Sequence, residues 1–531
     1  MKYILSLDQG TTSSRTLLID EVGKVVSKSQ KEFKQIYPKP SWVEHDPIEI
    51  WESQFGTAKD VISKSNINPK DIQGISITNQ RETIVAFDNK TGKPIHNAIV
   101  WQCRRTSDFC QKLKTNKQKL IKEKTGLEID AYFSGSKMKW VLENVPAAVE
   151  ACHGKSLRFG TIDSWLIYNL TNGKSFYTDP SNASRTMLYN TKENKYDKEL
   201  LEIFSVEEWM LPEVLPSNGD FGLTDKKLFD SEIPIHAVLG DQQAALFGQC
   251  CFKEGDLKVT YGTGGFLLIN IGEKFKIDQN FLTTIAWENE TRSKKQEAGN
   301  TKQEAGSKKQ ETRKEDHASC LIPHASSSMP HASSTTYAFE GATFISGAII
   351  QWLRDGLGII KDSSECEKIA ISLSSNEGVY LVPALVGLGA PHWDQGARGI
   401  ITGLTRGTTK AHIVRAAVES MAYQIADLIL PVKNQLPKDI FIKADGGATK
   451  NNFLLQFQAD LLGLPVTRSS QAEATALGVA YLAGLKLGMW KSFEDIQKTW
   501  HPDELFLPRV NREKEYNKWK DAVKRALKWE G

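Results

Sequence analysis

Asp8-Gln9-Gly10-Thr11-Thr12-Ser13-Ser14-Arg15, near the start of the chain, and Gly240-Asp241-Gln242-Gln243, near its middle, are the stretches whose reading decides the fold. Each follows a short apolar run that reads as a buried strand, Tyr3-Ile4-Leu5-Ser6-Leu7 and Ile235-His236-Ala237-Val238-Leu239. Each therefore sets a carboxylate where a strand ends, a usual position for active-site groups in α/β sheets. The first stretch adds Gly10 and a run of hydroxyl side chains, suited to phosphate oxygens with Mg²⁺ nearby. The second supplies a carboxylate able to take a proton. A phosphate cradle and a base together suggest phosphoryl transfer. Taken singly, each has a plainer reading: Asp241 as a helix cap and Thr11–Ser13 as a tight turn.

Three further segments extend the pattern. Gln80-Arg81-Glu82 follows the strand-like Gly74-Ile75-Ser76-Ile77-Thr78, and Tyr261-Gly262-Thr263-Gly264-Gly265-Phe266 opens a second strand-turn-strand unit. Asp445-Gly446-Gly447-Ala448-Thr449-Lys450-Asn451-Asn452 follows Ile440-Phe441-Ile442. In this order the set resembles the FGGY carbohydrate kinases. Arg81-Glu82, Trp101-Gln102-Cys103-Arg104-Arg105, Gly240-Asp241-Gln242-Gln243-Ala244-Ala245 and Gly347-Ala348-Ile349-Ile350-Gln351-Trp352 resemble the branch acting on glycerol. The resemblance runs from about Lys2 to about Trp490, broken by one insert.

It implies an α/β protein of the actin-like ATPase fold, with two ribonuclease-H-like domains around a catalytic cleft. An N-terminal domain over 1–249 would hold the glycerol and phosphate site, a C-terminal domain over 250–500 the nucleotide site, and 501–531 a tail. The implied reaction moves the ATP γ-phosphate to glycerol, giving sn-glycerol 3-phosphate and ADP, with ATP and Mg²⁺ as cofactors. The implied setting is the cytoplasm, as a homodimer or homotetramer.

Composition is compatible with this and narrows little further. At 531 residues the chain suggests two domains. Its 67 basic and 64 acidic residues leave a net charge of +3, which argues for neither nucleic-acid nor membrane binding. Met1-Lys2 leads directly into a strand without a signal-like segment, and no apolar run approaches the roughly 18 residues that span a bilayer. The cysteines at 103, 110, 152, 250, 251, 320 and 366 are scattered without a C-x-x-C pair, so free thiols in a reducing compartment are expected.

Strands are expected at Tyr3–Leu7, Arg15–Ile19 and Val25–Phe33, and again at Leu257–Thr260 and Phe266–Ile271. Helices are expected at Ile48–Ser63, Lys137–Glu143, Gly347–Leu357 and Lys410–Ile429. Both halves thus open with a phosphate-type turn between paired strands. Residues 293–334 break the pattern. Ser293-Lys294-Lys295-Gln296-Glu297-Ala298-Gly299 recurs with small changes, then His317-Ala318-Ser319 recurs at His324 and His331. A coiled coil would need apolar seam positions that are missing, and a Ser-rich tract fixes no metal geometry. A low-complexity, disordered surface insert is the expectation.

No G-x-x-x-x-G-K-[ST] occurs, which excludes a P-loop architecture. Phosphoryl transfer needs alignment and charge neutralisation, and the hydroxyl-rich turns are the substitute. Thr11, Thr12 and Ser13 read as contacts to the β- and γ-phosphates, with Arg15 as a charge partner and Thr263 facing them across the cleft. Asp241 is the candidate general base for an alcohol nucleophile. Arg81 and Glu82 pair a donor fork with an acceptor, matching hydroxyls that both donate and accept.

The family pattern assigns Arg81 and Glu82 to glycerol, with Tyr132 and Gln242 completing the polar contacts and Trp101 and Phe266 packing on the triol carbons. It gives Asp8 to Mg²⁺ through water, and Gly347, Gln351, Gly447 and Asn451 to the nucleotide. Some bacterial members of the branch bind fructose 1,6-bisphosphate on a Gly-rich, Arg-containing loop. Here that stretch, 224–232, has neither residue type and carries Asp225, Asp230 and Glu232, so inhibition by the bisphosphate is not expected. Two rivals remain: a relative acting on another polyol or sugar, and a non-catalytic actin-like ATP-binding protein, which would not need Asp241, Arg81 and Glu82 together.

Overall fold

Tyr3–Leu7 is apolar at nearly every position, the mark of a strand covered on both faces. In the computed structural model, which describes residues 1–290, 333–470 and 473–530, that run belongs to strand β1 (Tyr3–Gln9), buried along its whole length. With β2 (Ser13–Asp20), β3 (Val25–Glu32), β4 (Ile72–Asn79) and β5 (Ile235–Gly240) it forms a five-stranded sheet in the order β5-β4-β1-β2-β3. Only β2 runs against its neighbours: β1 and β4 are parallel, as are β4 and β5.

The second half repeats the plan. Here β6 (Leu257–Tyr261) and β7 (Gly265–Gly272) form the hairpin, followed by β8 (Leu282–Glu290) and β9 (Ser333–Thr343). Then come β10 (Ile442–Asp445), β11 (Val466–Ser469) and β12 (Pro502–Phe506), and the sheet order is β8-β9-β7-β6-β10-β11-β12. Stripped of its two outer strands, β9-β7-β6-β10-β11 repeats β3-β2-β1-β4-β5 in order and direction. That duplication is the actin-like ATPase architecture, two ribonuclease-H-like units whose hairpin turns face one cleft.

The expected elements are present with longer ends. The first helix runs Pro47–Ser65, started by Asp46, whose side chain accepts from the Ile48 amide, and by Pro47. Strand β1 continues past Leu7, so Asp8 lies inside the ladder opposite Arg15 rather than beyond it. The helix expected at Gly347–Leu357 is α-helical only over Gly347–Gln351 and continues as a π turn over Trp352–Gly356.

Two expectations need correction or limits. The segment expected as a C-terminal tail is, over its described residues, part of the second half: β12 closes the edge of the second sheet. Helix Glu513–Ala526 buries Trp519 against Tyr423, ring centroids 5.1 Å apart, with Trp519 Nε1 donating to Asp427. The repeat-bearing segment falls outside the described residues, except that Ser333 and Ser334 begin β9. Glu290 at the end of β8 lies opposite Ser333.

One packing centre joins the halves. Helix Asp241–Gly248 crosses helix Ala474–Leu487 so closely that a Cβ on Gly248 would stand 1.9 Å from the Ala474 carbonyl. A Cβ on Gly478 would stand 1.9 Å from that of Ala244. Asp241 is therefore fixed from below by a helix from the other end of the chain.

Candidate active site

The strand ends β1, β4 and β5 deliver three loops to one place. After β1, Gly10 donates to Ser13 O at 2.9 Å, a tight turn that leaves Thr12 exposed and Thr11 and Ser13 half-exposed. Gln80, after β4, ties this turn down through its backbone amide to Gln9 O and its side chain to Gln9 Oε1 and Gly10 O. Asp8 accepts from Arg15 Nε at 3.1 Å, and Arg15 also pairs with Glu473. Asp8 Oδ1 has no hydrogen-bond partner among the described residues, and no cluster of three metal-ligating side chains occurs among them.

Arg81 and Glu82 continue from Gln80 and are almost fully buried, 2% and 1% exposed. Glu82 holds a left-handed backbone, φ 60°, which side-chain-bearing residues adopt at a cost and which clusters at functional sites. Arg81 Nη1 donates to Gln243 Oε1 at 3.2 Å and to Glu340; Nη2 donates to Glu340 Oε1 at 3.1 Å and to the Tyr132 hydroxyl at 3.4 Å. Its Nε stands 3.1 Å from Asp241 Oδ1, yet its N–H is aimed at no acceptor. Burial works against the Arg81 charge, and Glu340 and Glu82 more than offset it.

Asp241 is the first residue of helix Asp241–Gly248, with Gly240 at the N-cap position and no side-chain cap bond, so the capping reading does not hold; its Oδ1 accepts from the adjacent Gln242 amide at 2.7 Å. About a third of its side chain, 31%, stays open to the cleft. Loss of water raises its pKa to about 6, with Arg81 opposing, Glu82 reinforcing, and Lys258 opposing. Gln242 accepts from Lys258 Nζ at 2.5 Å, and Lys258 also donates to Thr260 Oγ1 at 2.8 Å. Burial brings the Lys258 ammonium down to about 8, although Asp445 and Asp241 hold it up.

Trp101 joins the polar cluster to the phosphate-type turn. Its ring meets Tyr132 edge-on at 5.6 Å, and its Nε1 donates to Thr11 Oγ1 at 2.9 Å. Phe266 is half-buried on β7 opposite Ala342, on the strand beside the one that carries Glu340. The structure thus brings Arg81, Glu82, Trp101, Tyr132, Asp241 and Gln242 together, with Phe266 one strand away.

A second group gathers in the other half, around a cavity of about 480 Å³ lined by Thr263, Gly347, Gln351, Gly447 and Asn451 among others. Gly347 donates to Gly262 O and Ala348 to Thr263 O, which bolts the β6–β7 turn to the helix start. Gly446, at φ 95°, has no room for a Cβ, which would press on the Tyr261 backbone at 2.5 Å. Gly447 beside it faces open space, as a backbone approached by a flat ligand must. Asn451 caps helix Asn452–Leu462 by accepting from the Leu454 amide. Among the described residues no hydrogen bond joins the Gly10–Ser13 turn to Thr263.

Three charged residues of the site escaped the sequence reading. Glu340 on β9 and Arg185, just past helix Pro180–Ala183, are both fully buried beside Arg81 and Glu82. Lys258 alternates along β6 like a solvent-facing lysine, yet it is buried because the sheet is covered on both faces.

Duplicated ribonuclease-H-like units, each with a hydroxyl-bearing hairpin turn, place the protein in the actin-like ATPase class. Family comparison makes this specific: residues 3–248 match the N-terminal domain and 257–487 the C-terminal domain of the FGGY family of carbohydrate kinases. The chain belongs to that family. It is 52% identical to a glycerol kinase of Caldanaerobacter subterraneus subsp. tengcongensis, covering 99% of both chains. It is 51% identical to glycerol kinase 2 of Thermotoga maritima, covering 100% of both. Among solved structures, Plasmodium falciparum glycerol kinase with ADP superposes with a TM-score of 0.83 at 32% identity, over 99% of this chain and 98% of that one.

Proposed function

We propose that the protein is an ATP-dependent glycerol kinase, and that the Arg81–Asp241 corner is where the triol is phosphorylated. The observation that carries the reading is the Arg81 Nε–H without an acceptor, 3.1 Å from the one carboxylate of the cluster left partly open. A hydroxyl placed there accepts from Arg81 and donates to Asp241. Asp241 removes its proton as the oxygen–phosphorus bond forms. Glu82 and Gln242 serve the remaining hydroxyls, Trp101 and Phe266 the carbon face. Full-length relatives at about half identity support glycerol over other polyols.

Thr11, Thr12, Ser13 and Thr263 hold the phosphates from the two sides of the cleft, and the cavity at Gly347, Gln351, Gly447 and Asn451 takes the nucleotide. Asp8, with one oxygen engaged by Arg15 and the other unpartnered, fits a Mg²⁺ ion held largely by water and phosphate oxygens. That ion, when bound, neutralises charge on the transferring group. Arg15 is tied to Asp8 and Glu473, which suits it to fixing Asp8 as well as to meeting phosphate. The reading also carries a cytoplasmic setting and a homodimer or homotetramer, which sedimentation would test. The decisive assay measures ADP release with glycerol against a panel of polyols and sugars. Glycerol should give the highest kcat/KM; a better substrate in the panel, or no glycerol-dependent ADP, overturns the reading.

A further inference from the structure

Glu340 has no route to the substrate, yet the polar half of the triol site is built on it. It stands on β9 of the second half with 0% exposure, and it joins two arginines of the first half. Arg81 grips it with both terminal nitrogens. Arg185 Nη2 donates to Glu340 Oε1 at 2.8 Å, while Arg185 Nε donates to Glu82 Oε1 at 2.6 Å. Burial opposes ionisation of Glu340, but Arg185 and Arg81 hold its pKa below the usual range. The result is a closed chain of alternating charge, Glu82–Arg185–Glu340–Arg81, spanning both halves of the protein.

The donor count gives this chain its meaning. Arg81 has five N–H groups. Glu340 takes two, Gln243 and Tyr132 one each, and only the Nε–H remains, beside Asp241. Glu340 thereby sets the roll of the guanidinium plane, and with it which donor is turned to the pocket. Through Arg185 it also fixes one oxygen of Glu82, leaving Oε2 without a partner among the described residues. We propose that Glu340 is a positioning residue for glycerol, and that the Glu340–Arg185 pair presents Arg81 Nε–H and Glu82 Oε2 to the triol. This rests on the glycerol-kinase reading above and extends it to residues that touch no substrate.

The test is Glu340→Gln in the full-length enzyme, with glycerol and ATP kinetics measured separately. Glutamine keeps the shape and one acceptor but substitutes an NH2 donor that faces a guanidinium. The expected result is a KM for glycerol raised roughly 10- to 100-fold, the range for losing a charge-assisted hydrogen bond. The KM for ATP and the rise in melting temperature on adding ADP should stay within about twofold of wild type, and Glu340→Asp should restore part of the glycerol affinity. A wild-type KM for glycerol overturns the proposal, and so does an equal loss in glycerol and nucleotide parameters, which marks a purely structural role. If Glu340→Gln does not fold, Glu340→Gln/Arg185→Gln removes one charge of each sign, and a wild-type KM for glycerol in that variant likewise overturns it. Absence of glycerol-dependent turnover in the wild type would instead sink the functional reading itself.

Discussion

Asp241 is held where its charge is least comfortable, in a cleft that strips water from it and beside the carboxylate of Glu82. Its pKa of about 6 has a signed consequence. The base form exists above that pH, and protonation below it removes the acceptor for the alcohol proton. The pH profile of kcat/KM for glycerol should therefore fall on the acid side with an apparent pKa near 6. Asp241→Asn should lower kcat by about 10²- to 10⁴-fold and leave nucleotide binding intact. An unchanged profile, or a variant with near-normal turnover, would remove Asp241 from the chemistry. The placement of Asp241, Arg81 and the Thr11–Ser13 turn just past strand ends was legible in the sequence, from apolar runs before Asp241 and Thr11 and from the strand-like Gly74–Thr78 before Arg81, while their roles were read from the family resemblance. Glu340, Arg185 and Lys258 were not legible. A lone charge in a strand or loop reads as a solvent-facing residue, and only the fold reveals that counter-charges from distant segments meet it in the core.

At the level of elements, periodicity located nearly every strand of the two hairpins, since covered strands announce themselves by continuous apolar runs. It did not find the closing strand Pro502–Phe506, whose sequence is polar because an edge strand buries little. The helix after it belongs to the second half's core, and Trp519→Ala should cost about 3–5 kcal/mol of stability, seen as a lower denaturation midpoint. The Gly248–Gly478 crossing makes a different demand. A methyl at Gly478 meets a backbone carbonyl that cannot rotate away, so the helices must separate. Gly478→Ala should destabilise by about 1–3 kcal/mol and also lower kcat, because the helix it displaces begins at Asp241. Loss of stability with full activity would show that the crossing does not set the base. In the 224–232 stretch, Asp225 caps the short helix Lys226–Phe229 and no arginine is present. Millimolar fructose 1,6-bisphosphate should leave steady-state activity unchanged, and saturable inhibition would reveal a site elsewhere.

For the whole molecule, the repeat-bearing segment poses the question of what a chain can carry without altering its fold. It joins β8 to β9, which are antiparallel neighbours with Glu290 opposite Ser333. The two ends of the segment therefore already lie side by side, at the distance a short hairpin turn spans. Loop-closure entropy grows only with the logarithm of length, about 0.6 kcal/mol for each doubling, so removing the segment lowers the entropic cost of closing the hairpin slightly. Its composition, rich in Lys, Gln, Glu, Ser and His, offers little apolar surface whose loss the two cores would feel. Glu340 lies on the same strand, β9, but is held by Arg81 and Arg185 and by ladder neighbours on both sides, Leu268 and Leu282. Replacing residues 291–332 by Asn-Gly should thus keep the fold, the melting temperature within a few degrees, and the KM for glycerol. A variant that folds but loses glycerol affinity would show that the connection sets the register of β9. One that loses assembly in sedimentation with normal kinetics per subunit would place the segment at a contact between copies of the chain.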